Sequence, residues 1–222
     1  MLALDAALLR EHQCYFGGGT AIALKRDEYR ESIDMDFMVS DLFCYRELRK
    51  VLQNSENLAR FFGLGRGPLM ALPELRADQY GIRARLPLKP SLIKFEIVFE
   101  ARISFDTPAP QDQIGGVATL TEVDLVASKL LANVDRWADD GVLSRDIIDL
   151  AMLQPAQKTW KPALRKAEDA YGEAVMQAFD KAVARLTEDP QRLARCMDAL
   201  KFSIPPALLH QRLVDLRHRR RN

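Results

Sequence analysis

The chain has 222 residues, 48% of them hydrophobic and 28% charged, with 32 Lys and Arg against 31 Asp and Glu for a formal net charge of +1. That balance excludes a strongly basic packaging protein and an acidic disordered chain, and the length suits one large domain or two small ones with no need of disulfide staples. The charge is unevenly placed: residues 1–154 carry 18 basic and 23 acidic side chains, residues 155–222 carry 14 and 8, which points to metal chemistry in the front and a polyanion near the back.

In chain order, the spacing of Leu2, Leu4, Leu8 and Leu9 predicts a helix over 2–13. Cys14-Tyr15-Phe16 reads as a short apolar strand end that runs into Gly17-Gly18-Gly19-Thr20, and 21–26 begins a helix directly after the glycines. Residues 27–33 read as a loop, 35–40 as a strand and 42–54 as a helix. Gly63, Gly65, Gly67, Pro68 and Pro73 break any long element across 55–78. Residues 80–88 and 92–105 read as two strands joined by Lys89-Pro90-Ser91, and 106–116 as a loop. A long helix is expected over 121–137 with Thr121 as its cap, and a short one to Leu153 opened by Ser144. Pro155 marks a shift. Beyond it come three helical stretches, 161–186, 189–202 and 206–218, so the chain divides into a mixed α/β part, 1–155, and a helical region, 156–222.

Cys14, Cys44 and Cys196 are odd in number and lack CxxC spacing, and His12, His210 and His218 form no HxxxH pair. This argues against a disulfide framework and a zinc site and for a reducing compartment. No apolar run approaches the ~20 residues of a membrane span. The first ten residues carry Asp5 and no basic leader, so no signal peptide and no membrane association are expected, and the expected location is cytoplasmic.

The stretch from Tyr15 to Ser40 carries the chemistry. A strand–glycine–helix turn exposes backbone N–H groups at a helix N-terminus, where glycine allows close approach and the dipole favours phosphate; a tight turn without a ligand uses glycine too. Asp34 and Asp36, at i and i+2 of a strand, point to one face. Carboxylates so placed repel each other unless a cation joins them, and hard divalent ions take such oxygen ligands. Two ions about 3.5–4 Å apart activate an attacking hydroxyl and stabilise leaving pyrophosphate. The other reading, a solvated strand face, conflicts with the apolar run Phe37-Met38-Val39. For a third carboxylate, Glu96 is preferred and Glu100 is second; each reads equally as a surface acid of an edge strand. Lys129, Asn133 and Arg136 share a helix face, able to neutralise phosphates or to pair with Asp135 and Asp139. Asp146 and Asp149 stand at i and i+3, with Asp146 also suited to a helix N-terminus. Arg217-His218-Arg219-Arg220-Arg221 either grips RNA phosphates or is a solvated terminus.

Several pieces occur in a telling order: Gly18-Gly19-Thr20-Ala21; Arg30-Glu31-Ser32-Ile33-Asp34-Met35-Asp36-Phe37; Lys94-Phe95-Glu96-Ile97; Val126 to Ala132 with Asp135-Arg136; and Ser144-Arg145-Asp146-Ile147-Ile148-Asp149-Leu150. Over residues 15–153 this resembles the AbiEii/AbiGii-type toxin nucleotidyltransferases of the polymerase-β-like superfamily. The resemblance implies an α+β fold: a polymerase-β-like nucleotidyltransferase core, with a small mixed sheet flanked by helices, and a C-terminal helical region. It implies that Gly18, Gly19, Thr20, Ser32, Lys129 and Arg136 bind the nucleotide. Asp34, Asp36 and Glu96 would bind Mg²⁺ or Mn²⁺, with Lys129 and Asp146 completing the catalytic set. Glu96 stands where the superfamily commonly has Asp.

The function implied is transfer of an NMP from an NTP to an acceptor hydroxyl, on a tRNA 3′ end or a protein, by the toxin of a toxin–antitoxin or phage-defence pair with a cognate antitoxin. Two other readings remain: a catalytically silent nucleotide- or RNA-binding partner protein, and a phosphotransferase using the same site.

Overall fold

The computed structural model describes residues 3–88 and 91–219. Its internal contacts group into two compact units, residues 1–21 with 33–121 and residues 22–32 with 122–222. Pro155, where the composition shifts, lies inside the second.

In the first unit Asp5 accepts a hydrogen bond from the Leu8 N–H (3.0 Å) and starts α1 (Ala6–Glu11). β1 (Tyr15–Phe16) turns at Gly17 into α2 (Gly18–Lys25), whose last residues belong to the second unit. β2 (Met35–Val39) leads to α3 (Leu42–Gln53), capped by the Asp41 side chain, and α4 (Ser55–Phe61), capped by Asn54. β3 (Leu75–Ala77), β4 (Gly81–Leu88) and β5 (Ser91–Phe99) follow, then a hairpin of β6 (Gln113–Ile114) and β7 (Val117–Ala118).

The five-stranded sheet has the order β1-β2-β5-β4-β3. β2 and β5 run parallel and every other neighbouring pair is antiparallel, so the sheet is mixed. Side chains alternate in burial along it. Met35, Phe37 and Val39 of β2 and Phe95 and Ile97 of β5 are buried, while Asp36, Met38 and Glu96 are half-buried. Phe37 packs on Phe16 and Phe95 with centroids 5.4 and 5.5 Å away, and Phe95 on Phe61 and Phe62 at 5.8 and 5.1 Å. This aromatic core fixes the register of β2, and with it the face that carries Asp36.

The second unit comprises 22–32 and the helices α5 (Glu122–Arg136), α6 (Arg145–Leu153), α7 (Gln157–Tyr171), α8 (Ala174–Thr187), α9 (Pro190–Ala199) and α10 (Pro206–Arg219). Leu130 and Leu131 of α5, Ile147, Ile148 and Leu150 of α6 and Phe179 of α8 are fully buried. Trp160 meets Phe179 edge-on at 5.5 Å, a packing role. The fold is therefore α+β: a small mixed sheet flanked by helices, followed by a helical region.

Several elements differ from the sequence expectation. The strand expected to reach Phe105 ends at Phe99, because the Glu100 carboxylate turns onto the Arg102 N–H (2.9 Å) and guanidinium (2.6 Å), a local bond that competes with the ladder. The stretch 161–186 is two helices, α7 and α8, separated at Gly172, whose φ is +56°. The glycine- and proline-rich 55–78 still contains α4 and β3. Ser144 precedes α6 with φ +52° and makes no side-chain cap. Leu2, the Lys89-Pro90 turn, and Arg220 and Arg221 of the arginine tail lie outside the described residues.

Candidate active site

The glycine turn and the aspartate strand meet directly. The Gly17 N–H donates to the Asp36 carbonyl (2.8 Å). Gly18 has φ +67°, and a Cβ on it would stand 2.5 Å from Asp36 Oδ2. Only glycine fits there, on conformation and on space. The N–H groups of Gly18, Gly19 and Thr20, in the first turn of α2, have no acceptor within the helix. A helix N-terminus and a carboxylate thus share one place. Asp34 immediately precedes β2 and, like Asp36, is half-buried.

Glu96 lies at the same register as Asp36 across the parallel strands. Its carboxylate is already engaged: Arg83 Nε donates to Oε1 at 2.8 Å and Lys94 Nζ to Oε2 at 2.5 Å, with only 15% of the side chain exposed. Burial alone would raise this carboxyl, but Lys94 and Arg83 outweigh it and hold the group below the usual range. Glu100, the other candidate, is buried and chelated by Arg102.

In the second unit a chain of charges runs through buried space. Lys129 Nζ lies 2.9 Å from Asp146 Oδ1 and 2.7 Å from Asp149 Oδ2. Arg30 forks Asp149, Nε to Oδ1 at 2.9 Å and Nη2 to Oδ2 at 3.0 Å, and the Tyr29 hydroxyl donates to Oδ1 at 2.5 Å. Arg136 forks Asp146 at 2.6 and 3.0 Å. The two ends differ. Arg30 spends Nη1 on the Glu31 carbonyl and is closed off, whereas Arg136 leaves Nη1 over and its side chain is 37% exposed. Three cations, Arg30, Lys129 and Arg136, are hydrogen-bonded to two carboxylates, with Asp135 a third acid close enough to act on Arg136.

The structure thus brings Gly18 onto Asp36, Asp36 into register with Glu96, and Lys129, Arg136 and Asp146 into one network. Gly18, Gly19, Thr20, Asp34, Asp36 and Glu96 lie in the first unit; Ser32, Lys129, Arg136 and Asp146 lie in the second.

The family model for the nucleotidyl transferase AbiEii toxin of type IV toxin–antitoxin systems matches residues 2–217. The chain belongs to the AbiEii nucleotidyl transferase toxin family. Among solved structures, JHP933 from Helicobacter pylori is similar, with 18% identity and a TM-score of 0.56 over 97% of this chain and 87% of that one, a likeness of fold. A candidate nucleotidyltransferase from H. pylori gives 15% identity and a TM-score of 0.49 over 97% and 90%. No curated protein matches the sequence.

For an AbiEii-family chain, Tyr29, Arg30 and Asp149 are additions to the set read from sequence. Asp149 had a signal: it is an acid inside the apolar run Ile147 to Leu153. Of the acids expected to take a divalent ion, Asp34 and Asp36 are hard oxygen donors in kind, and a Cβ on Gly18 would fill the space against Asp36 Oδ2. Among the described residues no group of three or more Asp, Glu, His or Cys is placed to hold a metal. Glu96 and Glu100 are both spent on basic side chains. No helix among the described residues is long and apolar enough to cross a membrane.

Proposed function

We propose that this chain is a metal-dependent nucleotidyltransferase that moves an NMP from an NTP to an acceptor hydroxyl, on a tRNA 3′ end or a protein, acting as a cytoplasmic toxin with a cognate antitoxin. The observation that carries this reading is Gly18 against Asp36. It joins a phosphate-binding helix N-terminus to a carboxylate within a family of nucleotidyl transferases.

The N–H groups of Gly18, Gly19 and Thr20 and the Ser32 hydroxyl are assigned to the nucleotide phosphates. Asp34 and Asp36 are assigned to Mg²⁺ or Mn²⁺, which when bound supplies charge neutralisation at the phosphates and acidifies the attacking hydroxyl. Glu96 is the third carboxylate. Held ionised and weakly basic by Lys94 and Arg83, it suits charge placement better than proton abstraction. Lys129 keeps one N–H beyond its two carboxylates, and Arg136 keeps Nη1; both are assigned to the triphosphate, with Asp146 fixing their positions. The acceptor oxygen attacks the α-phosphorus, and its proton passes to solvent water. The bond from that phosphorus to the bridging oxygen breaks, and pyrophosphate leaves with the electron pair.

The test supplies NTP labelled at the α- or γ-phosphate, with Mg²⁺, to candidate RNA and protein acceptors. Transfer of α-label with release of pyrophosphate supports the proposal. Transfer of γ-label with release of NDP identifies a phosphotransferase instead.

A further inference from the structure

One cavity of the second unit takes no part in the proposed transfer. It has a volume of about 360 Å³, and its walls include Arg26, Asp27, Tyr29, Gln154, Ser203 and Arg212. Two guanidinium groups line it, brought from distant parts of the chain.

Arg26 has a structural task. Its Nη2 donates to the Leu153 carbonyl at the end of α6 (2.6 Å) and to Glu122 (3.0 Å). Arg219 takes the next carbonyls, of Gln154 and Pro155, at 3.2 and 2.8 Å. The C-terminus of α6 is thereby supplied with cations. Arg212 is not needed for that. Its Nη1 lies 3.0 Å from Met152 Sδ, a weak neutral acceptor, and among the described residues it has no carboxylate or carbonyl partner. Arg212 thus places a permanently charged fork on the cavity wall with no anion among its hydrogen-bond partners.

The rest of the wall suits an anion. Ser203 and Gln154 offer neutral donors, the one acid of the wall is the exposed Asp27, and of the two arginines only Arg26 already has a carboxylate, Glu122, which lies outside the wall. Asp27 and Gln154 hold left-handed backbone conformations, φ +58° and +48°, uncommon for residues other than glycine and concentrated at turns and ligand sites.

We propose that this cavity binds a phosphate group, gripped by Arg212 and Arg26. Two forked guanidinium groups with hydroxyl and amide donors match its several oxygens, and the cavity has room for an attached ribose. The phosphate comes from a mononucleotide or from an RNA backbone, and binding needs no divalent ion.

The test is calorimetry on the full chain in EDTA at low salt, with inorganic phosphate, AMP and a short single-stranded RNA as probes. The expected result is saturable binding of at least one probe. Binding should weaken about tenfold or more in Arg212→Gln and persist in Asp36→Asn, which separates this cavity from the proposed NTP site. Asp27→Asn, a change at an exposed side chain, should tighten binding about two- to fivefold. Binding of phosphate and AMP marks a mononucleotide pocket; binding of RNA alone marks a backbone contact. Absence of saturable binding by all three probes overturns the proposal, as does unchanged affinity in folded Arg212→Gln or in Asp27→Asn.

Discussion

Lys129 Nζ stands 2.7 Å from Asp149 Oδ2, and both side chains are buried. Burial by itself would lower the lysine and raise the aspartate. Asp149 and Asp146 outweigh it for Lys129, whose pKa is raised; Lys129 and Arg30 outweigh it for Asp149, whose pKa is lowered. Asp146 is lowered as well, against its burial, by Lys129 and Arg136. The acids therefore contribute stability that is present above their unfolded pKa of about 4 and lost as pH falls through their depressed values. Lys129 contributes stability that is present below about pH 10 and lost as pH rises through its raised value. The expected outcome is a thermal midpoint insensitive to these groups between about pH 5 and 9, falling on the acid side. Asp149→Asn should lower stability by about 3–5 kcal/mol, leaving buried cations unmatched, and weaken the acid-side loss. Thermal unfolding across pH checks both.

The two ends of the same network should answer mutation differently. Tyr29→Phe removes one buried donor from Asp149 and should destabilise by about 1–2 kcal/mol. Arg136→Gln acts at the exposed end, where the guanidinium has a nitrogen to spare. It strips two bonds from the buried Asp146, which keeps Lys129, so it should lower the midpoint by several degrees and in addition raise the KM for NTP about tenfold, as thermal unfolding and steady-state kinetics would show.

Gly18→Ala tests the meeting of turn and strand. The added methyl group collides with the Asp36 carboxylate and the backbone is left-handed, so a loss of at least 1–2 kcal/mol and of nearly all transfer is expected. Gly65→Ala is the control. Its φ is +80° but nothing lies within 4 Å, so it carries the conformational penalty alone and should retain transfer.

Glu96→Gln and Glu100→Gln separate the two candidates for the third acid. Glu96→Gln should lower transfer about tenfold or more at limiting Mg²⁺ and recover partly as Mg²⁺ is raised. Glu100→Gln orphans part of the Arg102 chelate, and should lower the melting midpoint while keeping the Mg²⁺ dependence of transfer unchanged. Transfer assays across Mg²⁺ concentration distinguish the two.

Local patterning made the centre of the fold legible. The alternation of Met35, Phe37 and Val39 with Asp36 and Met38 marks β2 and its faces, and the glycines mark the turn before α2. Arg83 reaches Glu96 only through the β4–β5 register, a pairing that spacing along the chain does not reveal. Lys94, two residues from Glu96 on the same strand face, was open to view. Arg30 and Asp149 are 119 positions apart, so their fork is set by tertiary packing alone. The strand end at Phe99 was hidden for a different reason: a side-chain bond from Glu100 overrode a β-prone run. The chain leaves the first compact unit after Ala21, within α2, re-enters it at Ile33 and leaves it again after Thr121, a path that spacing along the chain does not reveal.

The most direct test of the central claim is incorporation of α-labelled NTP with Mg²⁺, comparing wild type with Asp36→Asn. The wild type should place α-label on the acceptor with equimolar pyrophosphate, and the variant should lose about 100-fold or more of that transfer. Wild-type-level transfer by Asp36→Asn would contradict the claim.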